Sequence, residues 1–328
     1  MRVRVIVRVL VTLAVLAALV LLLPWSDVRD AAGRMRPWVW LGALAAFLAG
    51  HRLGAAKWRM LLRAGRCLLT PVQAIRFYAA GLFANLCLPS IVGGDVLRAA
   101  LAARETRRAE AAVLGGIGDR LVDVAVLALL IASGGILARG ALPAKVASAV
   151  TLALLAGVAA ASLTLILAAR RPLRRWPARL RRPIGRALVG ARRLARSPST
   201  ALAALAISLT MQSGFVLLNA WIGRSLGIDV PLGAWFLAWP LAKAAGLLPV
   251  SLGGLGVRDA TLGAILVPLG VPMATGVVAS LVWQSILIAG GLIAGGLWLA
   301  LGRWSGAADR AGEPTSLRAL GRARRRYV

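Results

Sequence analysis

The sequence has few of the side chains on which most enzymes and metal proteins depend. It has 1 histidine, 2 cysteines and 11 acidic residues, against 40 lysines and arginines. No Ser/His/Asp or histidine-metal constellation can be built around one histidine, and Cys67 and Cys87 lie in different segments without metal-binding spacing. We therefore expect no catalytic residues, no cofactor and no metal. His51, beside Arg52 at the end of an apolar segment, is interpreted as an interfacial residue.

The chain also lacks a hydrophilic stretch long enough to fold into a soluble catalytic domain. It is 59% hydrophobic, with a mean hydropathy of +0.80, whereas soluble domains are roughly 45–50% apolar. Apolar runs of about 20 residues, the length that crosses a bilayer, recur along it. These features predict an all-α polytopic integral membrane protein.

Acidic residues are too few to balance the basic ones, and the formal net charge is +29. The arginines flank apolar segments and do not form a basic domain with stacking aromatics, so we expect no nucleic-acid partner. Arginines beside membrane spans mark the cytoplasmic side. The stretch 170–199 has many arginines and no acid, which predicts a cytoplasmic loop. Either an amphipathic helix on anionic headgroups or a solvated run of charge fits it.

Six apolar segments predict transmembrane helices, at about 9–23, 37–54, 117–138, 146–168, 201–222 and 274–300. A signal peptide is the alternative for the first, but no small-x-small cleavage site precedes Pro24. The basic loops predict that both termini lie in the cytoplasm and that the chain spans the cell membrane. We expect one integral domain over 1–300, with halves at about 37–138 and 201–300, and a basic cytoplasmic tail at 301–328. The short segment 260–270 is interpreted as interfacial.

One motif, L-P-x-x-x-G-G-x-x-x-R-x-A, occurs twice without a gap, at 88–100 and at 248–260. Each copy follows an apolar stretch that is short for a span. Two turns that happen to look alike would be an alternative, but six identities in register favour a repeat. Paired Gly/Pro-interrupted apolar segments in two halves of a membrane protein point to a binding site between repeats.

The charges around the motifs predict how they enter the membrane. Basic residues on both sides of 77–92 indicate a re-entrant segment, which is tolerated only inside protein or beside a wet cavity. Three predicted spans separate the copies, so the second should enter from the opposite side. The predicted architecture is therefore about six transmembrane helices plus two re-entrant hairpins in an inverted-topology repeat.

Each motif carries the features of an anion site. Proline ends one helix, Gly-Gly permits a close reversal, and the next helix begins with free N–H groups. Arg98 and Arg258 follow in its first turn, where the helix dipole favours acids. A nearby anionic group such as phosphate would explain them, since an arginine fork matches it. Pairing with a protein acid, such as Asp123 or Asp259, is the alternative.

Other polar residues in apolar surroundings complete the candidate site. Asp119 and Asp123 share a helix face, which suggests either a structural ion network or a functional role. Asn85 and Lys243 approach the motifs and are expected to line a cavity. The candidate substrate-binding residues are Asn85, Pro89, Gly93, Gly94, Asp95, Arg98, Asp119, Arg120, Asp123, Lys243, Pro249, Gly253, Gly254, Gly256, Arg258 and Asp259.

The two motifs, with Asn85 and the Asp119-Arg120-x-x-Asp123 segment, resemble the flippase-like transmembrane domain of lysylphosphatidylglycerol synthases. Members of that family commonly have Glu where this chain has Asp119 and Asp259. The resemblance does not extend to the aminoacyl-transferase domain of those synthases, so lipid aminoacylation is not implied. It implies movement of an anionic membrane lipid or a lipid-linked precursor between leaflets.

Two other hypotheses stay open from the sequence. The chain could be a membrane-embedded enzyme or accessory subunit of polyprenyl-phosphate-dependent glycosylation, with metal-bound carboxylates at Asp95, Asp119 and Asp123. It could also be a structural or partner-binding membrane protein, which would have a sealed core without a cavity at the repeats.

Overall fold

The computed structural model describes residues 24–87, 93–138, 196–247 and 254–312, with isolated residues at 17, 21, 185 and 189 and side chains in the last helix up to 302. The predicted spans at 9–23 and 146–168, most of the basic loop and the end of the tail lie outside these residues. The described ranges are α-helices joined by short turns. They confirm an all-α polytopic membrane protein.

Four helical segments of the described chain are long and apolar enough to cross a membrane: Pro37–Ala64, Ala109–Leu137, Pro198–Ser225 and Met273–Gly302. In chain order the helices are α1 (Trp25–Gly33), α2 (Pro37–Ala64), α3 (Pro71–Cys87), α4 (Gly93–Thr106), α5 (Ala109–Leu137), α6 (Pro198–Ser225), α7 (Leu232–Leu247), α8 (Val257–Leu266) and α9 (Met273–Gly312).

Two of the predicted spans are longer in the structure than in the sequence analysis. Helix α2 continues from 54 to Ala64, and α5 begins at Ala109 and not at 117. The sequence placed Lys57 in a cytoplasmic segment, but its side chain is only 1% exposed. It is buried because Asp119 and Asp123 of α5 pair with its ammonium group. In the sequence, the charge of Lys57 therefore suggested that the span had ended, whereas in the structure aspartates of another helix neutralise it.

The segment 260–270, which we interpreted as interfacial, is mostly the second half of α8. Leu262 and Leu266 are fully buried there and belong to the largest hydrophobic core cluster. A short 3-10 turn, Val267–Leu269, follows, and Gly270 then adopts a left-handed φ of 80° that reverses the chain into α9.

Each repeated motif lies between two short helices that pack against each other. Helix α3 has 17 residues and α7 has 16, which is about 25 Å of helix and less than the roughly 30 Å apolar core of a bilayer. Helix α4 packs back on α3, and α8 packs back on α7. A re-entrant hairpin needs this length and packing; the depth of each pair in the membrane stays a prediction.

The two halves of the described chain repeat the same order of helices. A long helix, two short ones and a long one occur as α2 to α5 and again as α6 to α9. The packing partners also correspond. Helix α5 packs on α7 as α9 packs on α3, and α4 packs on α5 as α8 packs on α9. Helices α2 and α6, which occupy equivalent places, pack on each other.

Equivalent helices run in opposite directions where the two halves meet. The rings of Trp38 and Trp221 are 5.6 Å apart, and those of Phe47 and Phe215 are also 5.6 Å apart. Residue numbers thus rise along α2 as they fall along α6, so this pair is antiparallel.

Glycines let the short helices approach each other closely in both halves. A Cβ on Gly94 would overlap the carbonyl oxygen of Gly81, and a Cβ on Gly254 would lie 2.8 Å from that of Gly246. Gly254 also has a φ of 79°, which favours glycine. The second glycine of each motif is therefore required by contact with the preceding helix.

The contact between α5 and α7 gives a test of this packing. A Cβ on Gly134 would overlap the backbone of Phe236 and Leu237, whereas a Cβ on Gly116 of the same helix meets nothing within 4 Å. We expect Gly134→Ala to lower the free energy of unfolding by about 1–3 kcal/mol through overpacking. The matched control Gly116→Ala should hold or raise it. Thermal unfolding in detergent measures both, and equal transition temperatures would contradict this account of the contact.

Candidate functional site

The first half of the site is built around the buried guanidinium of Arg98. Its Nη2 lies 2.7 Å from Oδ2 of Asp119 on α5 and 2.8 Å from Oδ1 of Asp95, one turn back on α4. The rings of Trp58 and Tyr78 lie 5.1 and 5.0 Å from its Cζ. Two carboxylates and two aromatic faces thus stabilise this cation inside the protein.

A second buried cation, Lys57, joins α2 to α5. Its ammonium group lies 3.0 Å from Oδ1 of Asp119 and also pairs closely with Asp123. Asp123 in addition accepts a 2.6 Å hydrogen bond from the hydroxyl of Ser208 on α6. The two aspartates on one face of α5 therefore share a cation that lies between them. This is the arrangement expected if Asp119 and Asp123 belong to a structural ion network.

The outer end of this network is at the start of α4. Arg120 of α5 is 41% exposed and pairs with Asp95. Asn85 accepts a 3.0 Å hydrogen bond from the backbone N–H of Gly94, which satisfies one of the free N–H groups at the start of α4. Since α4 begins at Gly93, Arg98 lies in its second turn and not in the first.

Among the described residues, the second half of the site has one ion pair and otherwise neutral partners. Arg258 lies in the first turn of α8, and its Nη2 donates to Oε1 of Gln284 at 2.7 Å and to Oδ1 of Asp259 at 3.1 Å. The other oxygen of Asp259 caps the helix by accepting from the N–H of Gly256, which has a φ of 77°. Ser280 donates to the same carboxylate at 2.5 Å.

The equivalent long helices present different chemistry at the same spacing. Helix α5 offers Asp119 and Asp123, four residues apart, whereas α9 offers Ser280 and Gln284, also four residues apart. The first half therefore has more charged side chains than the second, although the paired charges balance in each. In both halves the Nε of the motif arginine is buried and makes no hydrogen bond within the described residues.

Three cavities adjoin at His51. The Arg98 chamber, of about 150 Å³, is lined by Arg98 and its partners, and the Arg258 chamber, of about 230 Å³, is lined by Arg258 and several aromatic rings. His51, Phe215 and Lys243 line both chambers. The third cavity, an apolar groove of about 450 Å³ between α2, α3 and α9, shares His51 and Tyr78 with the Arg98 chamber.

Lys243 lies where the two chambers meet. Its Nζ donates to Oε1 of Gln212 at 3.1 Å, and it makes no ion pair with a carboxylate among the described residues. Gln212 is held in place by bonds from its Nε2 to Ser208 and to the carbonyl of Asp123. The amine therefore faces two cavities with only a neutral partner.

The structure brings together most of the candidate residues in two groups. The residues around Arg98 and its chamber are Asn85, Gly93, Gly94, Asp95, Asp119, Arg120, Asp123 and Lys243, and those around Arg258 are Gly254, Gly256 and Asp259. Pro89, Pro249 and Gly253 lie outside the described residues.

Sequence reasoning missed Lys57 and His51. Lys57 looked like one of several cytoplasmic charges, but Gly54 and Ala55 precede it, and such small residues allow close packing of helices. His51 is in the middle of α2, where Phe47 packs edge-on against its ring at 4.3 Å. It thus lines cavities from the middle of α2, which extends well beyond it, and not from the end of a helix.

The hypothesis of a glycosylation enzyme needs a metal-bound carboxylate cluster at Asp95, Asp119 and Asp123. In the structure these carboxylates are instead paired with Lys57, Arg98 and Arg120. No group of three histidine, cysteine or acidic side chains in the described part of the chain is placed to hold a metal ion. The cavities between the helices likewise differ from the sealed core expected of a purely structural protein.

Comparison with known protein families matches residues 5–295 to the lysylphosphatidylglycerol synthase TM region. The match includes both motifs and all the residues of the two chambers. No curated protein and no solved structure matches the chain.

The pairing of Lys57 predicts a large effect of its removal. Lys57→Met should lower the free energy of unfolding by about 3–5 kcal/mol, because Asp119 and Asp123 would then be buried with too little positive charge. Adding Asp123→Asn should recover part of this loss, since the amide can still bond to Ser208. Chemical or thermal unfolding in detergent measures both. A double variant no more stable than Lys57→Met would show that the buried charge is not the cause.

Proposed function

The chain belongs to the family of the lysylphosphatidylglycerol synthase TM region, and we propose that it moves a lipid with an anionic headgroup between the two leaflets of a cell membrane. The lipid would be an anionic phospholipid or a polyprenyl-phosphate-linked precursor. Both termini of the chain would lie in the cytoplasm, as the basic segments predict.

The observation that carries this proposal is the pair of adjoining chambers, each with a buried motif arginine. Arg98 and Arg258 line separate cavities that meet at His51, Phe215 and Lys243. A charge in a membrane span is costly, so such residues are kept where they serve a pathway or a site. Guanidinium groups match phosphate geometry, and the joined chambers offer a headgroup two successive binding positions.

The arrangement of the halves supports alternating access to the two leaflets. Helices α2 and α6 are antiparallel, and the helix pairs α3–α4 and α7–α8 occupy equivalent places in the two halves. These features support an inverted-topology repeat, an arrangement in which substrate sites lie near the middle of the membrane between the repeats. We propose that the two short pairs are re-entrant hairpins, one opening to each side.

The apolar groove supports a lipid and not a free anion as the substrate. Its walls are mostly aliphatic side chains of α2, α3 and α9, and it adjoins the Arg98 chamber through Tyr78 and His51. A headgroup in the chamber could thus keep its hydrocarbon chain in the groove. A soluble phosphate would gain no binding energy from this apolar surface.

Substitution of the motif arginines tests the proposal in reconstituted vesicles. We expect Arg98→Gln and Arg258→Gln to slow movement of fluorescent phosphatidylglycerol by at least about tenfold, the effect of losing one hydrogen bond to a charged group. Arg104→Gln is the matched control, because Arg104 is an exposed arginine on the same helix as Arg98. Equal rates in the wild type, all variants and protein-free vesicles would end the proposal.

A bulky side chain in the groove tests whether a lipid chain occupies it. Ile293 lines the groove and is 47% exposed, whereas its neighbour Leu292 is 58% exposed and lies outside it. We expect Ile293→Trp to slow lipid movement several-fold by filling the groove, and Leu292→Trp to leave the rate unchanged. The same vesicle assay measures both. A soluble anion as substrate would predict no difference between the two variants.

A further inference from the structure

We infer that the headgroup moved through the two chambers has a single net negative charge, as a phosphodiester does, and that Lys243 is the cation that binds it where the chambers meet. This inference rests on the proposed function and narrows its substrate class. It favours a phospholipid over a pyrophosphate-linked precursor.

The first part of the argument is the charge balance of the site. In the first half, Asp95, Asp119 and Asp123 pair with Lys57, Arg98 and Arg120, so three carboxylates balance three cations. In the second half, Asp259 balances Arg258. Every ionised group of the two chambers except Lys243 is thus matched within the described residues.

Lys243 is the group left over. The charged groups that line the two chambers, together with the groups paired with them, are five cations and four carboxylates. One positive charge therefore remains. Because a charge inside a membrane protein is stabilised when an opposite charge joins it, one negative charge on the ligand would neutralise the site. A second negative charge would have no free cation among these residues, and a net-neutral headgroup would leave Lys243 unbalanced.

The position of Lys243 fits the role of a shared cation. It lines both chambers, whereas Arg98 lines the first alone and Arg258 the second alone. A phosphate moving between the two arginines would therefore stay within reach of the same amine. Lysine suits this place, because its ammonium is a compact charge on a flexible stem and does not need one fixed geometry.

The size of the chambers agrees with one phosphate at a time. The Arg98 chamber has a volume of about 150 Å³, roughly that of five waters in the liquid. One phosphorus with its four oxygens has this number of heavy atoms.

The test compares lipids of different headgroup charge in vesicles that contain the full chain. Fluorescent phosphatidylglycerol and phosphatidylinositol have one net negative charge, and phosphatidylinositol 4-phosphate has more than one. Phosphatidylcholine has no net charge, because its quaternary ammonium group balances its phosphate. Phosphatidylinositol controls for the size of the inositol ring. We expect the two singly charged lipids to move roughly tenfold faster than the other two, after subtraction of the rate in protein-free vesicles.

Variants of Lys243 test the assignment to this residue. Lys243→Gln should lower the preference for phosphatidylglycerol over phosphatidylcholine by about tenfold, because it leaves the site neutral without a ligand. Lys243→Arg keeps the charge and should keep the preference. Arg104→Gln, which removes an exposed charge, should change neither rate.

The possible failures are distinguishable. If all four lipids move equally fast in the wild type, the inference about charge is wrong and the proposed translocation stands. If no lipid moves faster than in protein-free vesicles, the proposed function itself is wrong. A preference that survives Lys243→Gln would overturn the assignment to Lys243. If that variant does not fold, the four wild-type rates and Lys243→Arg still decide the question of charge.

Discussion

The ammonium group of Lys57 between two aspartates is the contact on which the charged half of the site depends. It begins a series of alternating charges that runs from Asp123 through Lys57, Asp119, Arg98 and Asp95 to Arg120. Each charge is stabilised by the next, and helices α2, α4 and α5 all contribute. Because none of these groups could be buried alone at acceptable cost, the series fixes the positions of the three helices and holds the Arg98 guanidinium at its chamber.

The same contact explains why the helices pack as they do. A buried lysine must reach both carboxylates from α2, so α2 and α5 have to approach closely, and glycine and alanine on α2 and α5 allow this approach. Elsewhere glycines of one helix lie against large side chains of another, as at Gly42 against Trp221 and Gly50 against Phe215. Charge determines the register of α2 on α5, and shape determines how closely α2 lies on α6.

Much of the fold was predictable from the sequence, because span length and the repeated motif are local patterns. The helical class, the short helices before each motif and the grouping of Asn85, Asp95, Arg98, Asp119 and Arg120 could be predicted in this way. The roles of Lys57 and His51 could not. A buried lysine differs from a cytoplasmic one only in its partners, and those of Lys57 are more than 60 positions away. Similarly, His51 is next to Arg52 in the sequence, which suggested the end of a span. In the structure α2 continues to Ala64, and His51 in its middle lines three cavities.

The two halves share a backbone pattern but differ in how firmly they hold their arginines. Arg98 is paired with two carboxylates, whereas Arg258 has one carboxylate at 3.1 Å and a neutral amide at 2.7 Å. Arg98 is therefore surrounded by more negative charge than Arg258. The difference has two sources: Arg98 faces Asp119 of α5 where Arg258 faces Gln284 of α9, and Arg98 is also paired with Asp95, one turn back on α4. Under the proposed function, an anion would therefore meet two competing carboxylates at Arg98 and one at Arg258.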